Sequence, residues 1–245
     1  MLGIKRFAVL LLALYGCAGV ARAEHLLRIG YYDFAPSIYT DERGQAVGPL
    51  VELVERVFAR TEYQPVFKRM PIARVYNHLR TGRIDIWVGA PNKDELNEYV
   101  IHSQQQLAEV ALNLYYRPDT QPPKLPDDLK GRVMILLTGY SYWPKTNALL
   151  LAPEQGILQL RTSKRESAFE LLARKRGDYL LDYQVPANEV LKKMGVSHLP
   201  YVRVESLPIV FVGSRQTANM ARILDELDRA YLSLVAEGQE VALPN

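Results

Sequence analysis

The residues that could do chemistry rarely meet at a productive spacing in this chain. His25, His78, His102 and His198 are scattered, with no H-x-x-x-H pair and no acidic cluster to complete a metal site. Gly139-Tyr140-Ser141 offers half of a nucleophile elbow, but Trp143 stands where the closing glycine belongs. There is no phosphate-cradling loop and no dinucleotide fingerprint, so neither metal nor cofactor is expected. The one cysteine, Cys17, lies in an N-terminal apolar run. What remains is a set of short loops placed to bind, not to cleave. Asp33, Phe34 and Pro36 follow an opening strand; Gly89, Ala90, Pro91 and Asn92 follow a buried one. Thr138, Gly139, Tyr140 and Ser141 follow Leu137, and Asp182 ends another strand. Loops beyond the strand ends are where open α/β sheets hold ligands. Four of them, divided between two parts of the chain, predict a shared cleft.

Those loops need a scaffold, and the apolar patterning supplies one. Residues 26–32 alternate as a strand. Pro49 starts a helix whose buried stripe is Leu50, Leu53, Val54, Val57 and Phe58. Residues 66–67 predict a short strand. Pro71 opens a second helix, with Ile72, Val75, Tyr76 and Leu79 inward and Gly82 as its stop. Residues 84–88 form an apolar strand of the kind covered on both faces. A similar unit recurs about ninety residues on. A capping box at 163–166 starts a helix, Gly177 ends it, and a strand follows at 179–181. Strands at 108–116, 133–137, 201–204 and 207–212 and a helix over 217–236 complete a mainly parallel α/β pattern.

Of the 245 residues 48% are hydrophobic and 23% charged, a globular balance with room for two cores. Residues 1–23 read as a secretory signal: Lys5 and Arg6, an apolar run, then Ala21-Arg22-Ala23. A lipoprotein site at Cys17 is disfavoured by the bulk of Tyr15. Taking Lys5, Arg6 and Arg22 from the 30 basic residues leaves 27, against 27 acidic ones. The formal charge of +3 thus belongs to the signal, and no electrostatic case for nucleic acid or anionic lipid remains. The mature chain is cysteine-free, so it is stabilised without disulfides.

The order of these segments resembles the bacterial extracellular solute-binding proteins of family 3, the amino-acid-type receptors of ABC importers. The resemblance is carried by Arg28-Ile29-Gly30 with Phe34-Ala35-Pro36, Gly44-x-x-x-Gly48 and Leu79-x-x-Gly82-x-x-Asp85. Leu129-Lys130-Gly131-Arg132-Val133, Gly177-Asp178-x-x-x-Asp182 and the last helix complete it. It implies a two-lobe periplasmic-binding-protein-like (type II) α/β fold with two crossing strands. Lobe one would be 24–105 plus 206–245, and lobe two 106–205. It also implies a monomeric periplasmic protein that delivers a small polar solute, an amino acid or a similar molecule, to a membrane permease. The implied solute site comprises Phe34 packing on the solute, Asp182 on its ammonium group and hydrogen bonds from Gly89, Ala90 and Ser141. Ile72, Asn92 and Leu137 stand beside these. An exported enzyme like cyclohexadienyl dehydratase, using Asp33, Glu109 or Asp182, is the alternative, as is a sensor acting in trans.

One departure changes the expected ligand. The carboxylate-clamping arginine of the family should fall near Leu96 or Asn97, and none is there. Either Arg74 supplies the charge from the neighbouring helix, or the ligand lacks a standard α-carboxylate there. A buried α-carboxylate without a partner would cost several kcal/mol. Common L-amino acids are therefore expected to bind weakly or not at all in calorimetry. Micromolar binding of one of them, retained in Arg74→Ala, would contradict this.

Overall fold

The computed structural model describes residues 25–138, 140, 142–239 and 243. The expected signal at 1–23, including Cys17, lies outside them, as do Gly139 and Ser141. The first wing comprises β1 (His25–Tyr31), a hairpin of β2 (Tyr39–Thr40) and β3 (Ala46–Val47), α1 (Pro49–Phe58) and β4 (Tyr63–Arg69). It continues with α2 (Ile72–Arg80), β5 (Ile86–Gly89) and β6 (Val100–His102). The chain then crosses through β7 (Ala108–Tyr115) into a second wing of β8 (Val133–Leu137), α3 (Pro144–Leu151), β9 (Leu158–Thr162), α4 (Arg165–Ala173), β10 (Tyr179–Tyr183) and α5 (Gln184–Lys193). β11 (Tyr201–Ser214) returns it, and α6 (Met220–Ala236) packs on the first wing.

The sheet runs in the order β4-β1-β5-β11-β7-β10-β8-β9, with β6 also paired to β11. β1 is parallel to β4 and β5, and β8 is parallel to β9 and β10. The centre is antiparallel, where β11 pairs β7 and then β5. Parallel wings need helices as crossovers, and the apolar faces of those helices form the cores. On α1, Leu50, Leu53, Val54, Val57 and Phe58 are buried, as their spacing predicts. Leu53, Val54, Val57 and Phe58 meet Ile223, Leu224, Leu227 and Leu234 of α6. Each such side chain contributes on the order of 1.5–3 kcal/mol by burial.

A carboxylate ties each wing together. Asp85 Oδ2 accepts from the Arg28 amide at 2.8 Å and Nε at 2.7 Å, while Oδ1 accepts from Arg28 Nη2 and Thr217 Oγ1, each at 2.8 Å. The Asp85 amide donates back to the Arg28 carbonyl at 2.9 Å. In the second wing Val133 and Asp178 repeat the backbone exchange: Val133 N–H to Asp178 Oδ2, and Asp178 N–H to the Val133 carbonyl, both at 2.8 Å.

Several local expectations give way to longer-range contacts. The capping box does not form: α4 starts at Arg165, with Lys164 as N-cap and no side-chain cap. The residue that takes the left-handed position after α4 is Lys175 (φ 58°), not Gly177. Gly177 is required for space instead, since a Cβ there would enter the Ile135 side chain. The last helix begins at Met220, after Asn219 in the left-handed conformation (φ 58°), and Thr217 donates instead to Asp85. The separate strands at 201–204 and 207–212 are one continuous strand with a bulge between Arg203 and Glu205.

Burial pushes the Asp85 carboxyl up, but the bonds from Arg28 and Thr217 outweigh it and hold it below its usual range. A depressed folded-state pKa gives stability that is present above the unfolded value near 3.9 and lost as pH falls through the folded one. Asp85→Asn is expected to cost about 2 kcal/mol or more in urea unfolding at pH 7, because buried donors lose an ionised acceptor. The gap to the parent should narrow below pH 4, and an equal gap at pH 7 and pH 3 would refute the ionic part.

Candidate functional site

The loops beyond β1 and β5 face those beyond β8 and β10 across a cavity of about 80 Å³. Its walls are aromatic: Tyr32, Phe34 and Trp87 from the first wing, Tyr140, Trp143 and Tyr183 from the second. Four of these close a ring. Tyr32 meets Phe34 (6.1 Å between centroids), Phe34 meets Tyr183 (5.6 Å), Tyr183 meets Tyr140 (5.8 Å) and Tyr140 returns to Tyr32 (6.1 Å). The pairs are edge-on or tilted, the arrangement that ring quadrupoles favour. Two links of this ring join one wing to the other. Burial pushes the Tyr32 and Tyr183 hydroxyls well above their ordinary pKa, so both stay neutral.

Two charged residues line the same space, Lys93 and Glu109. Glu109 is exposed, whereas Lys93 is only 3% exposed. The Lys93 ammonium sits 3.6 Å above the Trp143 ring centroid, a cation–π contact between the wings. Burial pushes it down to about 8, and Glu95, Glu205 and Asp94 offset only part of that.

Asp182 is 1% exposed and does not line the cavity. Its carboxylate accepts from Arg165 Nε at 2.6 Å and Nη2 at 3.2 Å, and from the Tyr183 amide at 2.8 Å. Arg165 Nη2 also donates to the Tyr140 hydroxyl at 3.0 Å. Asp182 therefore reaches the aromatic ring through Arg165, which occupies the place where a ligand ammonium was expected. Arg165 is the first residue of α4, and its side chain turns inward to the acid.

Of the other sequence-predicted residues, Phe34, Ile72, Gly89 and Ala90 come together on the cavity wall. Gly89 lets the Trp87 ring lie against the backbone, in space that a Cβ would take. Arg74 is exposed on α2 and is not on the wall. Asn92 is exposed, with φ 59°, and Leu137 is buried among α4 and α5 residues. Ser141 is outside the described residues. Leu96, at the missing clamp position, is buried core. Asp33 is engaged by Arg69 at 2.7 Å. Sequence reasoning passed over Lys93 and Arg165. Lys93 had a signal, as the basic residue of the loop after β5. Arg165 had none, because its partner is supplied by a different strand.

The sequence profile of the bacterial extracellular solute-binding proteins, family 3, matches residues 27–240, and the chain belongs to that family. No curated protein matches it in sequence. Among solved structures, a histidine kinase sensor domain with similarity to periplasmic binding proteins superposes with a TM-score of 0.72 at 19% identity, covering 89% of this chain and 93% of that one. An ancestral arginine-binding protein bound to arginine gives 0.71 at 19% identity, covering 89% and 95%. An ancestral amino-acid-binding protein, a precursor of cyclohexadienyl dehydratase, gives 0.68 at 18%, covering 88% and 91%. These likenesses establish the type II periplasmic-binding-protein-like α/β fold.

The Asp182–Arg165 pair yields a stability test. Arg165→Met leaves a buried carboxylate without its cation and is expected to cost about 3–5 kcal/mol in chemical denaturation. Arg165→Met with Asp182→Asn should recover much of that. A single variant as stable as the parent would mean that Asp182 is not held ionised by Arg165.

Proposed function

We propose that the mature protein is an exported solute-binding protein that closes on a small solute between its wings and delivers it to the permease of an ABC importer. The observation that carries this reading is the aromatic ring of Tyr32, Phe34, Tyr140 and Tyr183, which neither wing can complete alone. A solute that touches both pairs binds the closed arrangement better than an open one, and that difference in affinity drives closure. The family supports the same role. No bond is made or broken. Of the three acids weighed for an enzyme, Asp33 and Asp182 are engaged by arginines, and Glu109 lines the cavity but is exposed. Burial pushes the Asp182 carboxyl up against the pull of Arg165, but this acid does not line the cavity, and general-acid work needs the acid within reach of the reacting group. The protein is taken to act as a monomer in the periplasm, with the solute and the permease as partners and no nucleic acid.

The test is a thermal-shift screen of residues 24–245 against amino acids, amines and small organic acids. A ligand at a hundredfold excess over its dissociation constant should add about 2.7 kcal/mol. Phe34→Ala should weaken that ligand by about fivefold or more, the scale of one lost aromatic contact, while the protein stays folded. A melting temperature unmoved by every compound would argue against solute capture. Product formation would restore the enzyme reading.

A further inference from the structure

The buried charges at the cleft are already committed, and on the premise that the cleft is the solute site this narrows the ligand class. Lys93 lies under the Trp143 ring with Glu95, Glu205 and Asp94 acting on its ammonium. Asp182 is closed by Arg165, whose remaining donor goes to the Tyr140 hydroxyl. Glu109 is on the wall but exposed to water. A ligand charge carried into this space would be desolvated without a partner, which apolar contacts do not offset. What the walls offer instead is neutral polarity. The Tyr32 and Tyr183 hydroxyls line the cavity and have no hydrogen-bond partner among the described residues, although Tyr183 is only 6% exposed. We propose that the solute is a small uncharged ring compound, its body between the aromatic walls and its carbonyl or ring-nitrogen acceptor bonded to the Tyr32 and Tyr183 hydroxyls.

Size fits this class. At roughly 10–15 Å³ for each water position, the cavity of about 80 Å³ holds on the order of six such positions, the room of one substituted ring. The two hydroxyls come from opposite wings, so an acceptor that takes both bonds also holds the wings together. After burial, the Tyr32 phenol is what raises the Tyr183 pKa most, which makes the two hydroxyls neighbours. Both phenols are held neutral and act as O–H donors throughout the physiological range. An apolar wall with a few placed polar groups is the usual build of a small-molecule site. Two features pull toward a charged ligand: ring faces attract cations, and phenol donors suit anions. Neither supplies a counter-ion, so an uncharged acceptor is the form that leaves nothing buried and unpaired.

The probes are benzamide, benzoate and benzamidinium, which share one shape and differ in charge. Calorimetry at pH 7 is expected to show benzamide binding at least about tenfold more tightly than either ion, because only the ions bury an unpaired charge. This comparison uses the unaltered protein. Tyr32→Phe and Tyr183→Phe each keep the ring and remove one donor. Each should weaken benzamide by about fivefold, the scale of one lost hydrogen bond, in a protein that stays folded. A smaller preference for benzamide over either ion, or benzamide affinity unchanged in either folded variant, would overturn the proposal. If another compound of the screen stabilises the protein and benzamide does not bind, the ligand class is wrong and solute capture stands. If none stabilises it, both readings fall.

Discussion

β11 gives residues 201–209 to β7 and residues 210–214 to β5 and β6, so a single antiparallel strand fixes the position of each wing relative to the other. Everything that meets in the cleft depends on this register. Val210 lies opposite Gly89, and Ile209 opposite Ala108, so the end of β5 and the start of β7 stand side by side under the cavity. The bulge at Arg203/Glu205 falls within the second wing's segment of the strand, and Glu205 just past it is among the acids whose field reaches Lys93. Antiparallel pairing is what permits this. Parallel strands would need a helix between each pair, and helices at the centre would fill the space where the loops converge.

The two wings solve the same packing problem with exchanged residues. In the first, Gly30 on β1 leaves room for Ile84, which precedes Asp85. In the second, Gly177, which precedes Asp178, leaves room for Ile135 on β8. The large and small partners trade places while the carboxylate–amide exchange stays fixed. The recurring helix–glycine–strand unit is legible in the sequence because each copy leads into this exchange, but Gly177, predicted as a helix stop, serves the close approach to Ile135; both roles call for glycine and only the fold distinguishes them. Lys175 tolerates the left-handed position at the end of α4, and its ammonium reaches Asp119 at 2.7 Å.

Helix faces and buried strands were legible because their signal is periodic and local. The wall residues Phe34, Gly89 and Ala90 were legible because strand-end loops are identifiable from the strands alone. Lys93 and Asp182 show where local reading stops. Asp182 sits at a strand end, as expected, yet its environment is set by Arg165, seventeen residues away on another element. Lys93 looks in sequence like one charge in an acidic loop. Only the docking of Trp143 from the opposite wing turns it into a buried cation.

These two residues show how the surroundings of a charged side chain decide what it presents to the cleft. A buried aspartate at the cleft is an ammonium site only while its charge faces the cavity. Placing Arg165 on it satisfies the carboxylate internally and uses the leftover guanidinium donor to orient Tyr140. The negative charge is thereby converted into a support for an aromatic wall. In the first wing Leu96 is core, and Lys93 is buried under the Trp143 ring with Asp94, Glu95 and Glu205 acting on its charge. An ammonium on a flexible stem is a point charge, without the bidentate geometry that an arginine presents to a carboxylate.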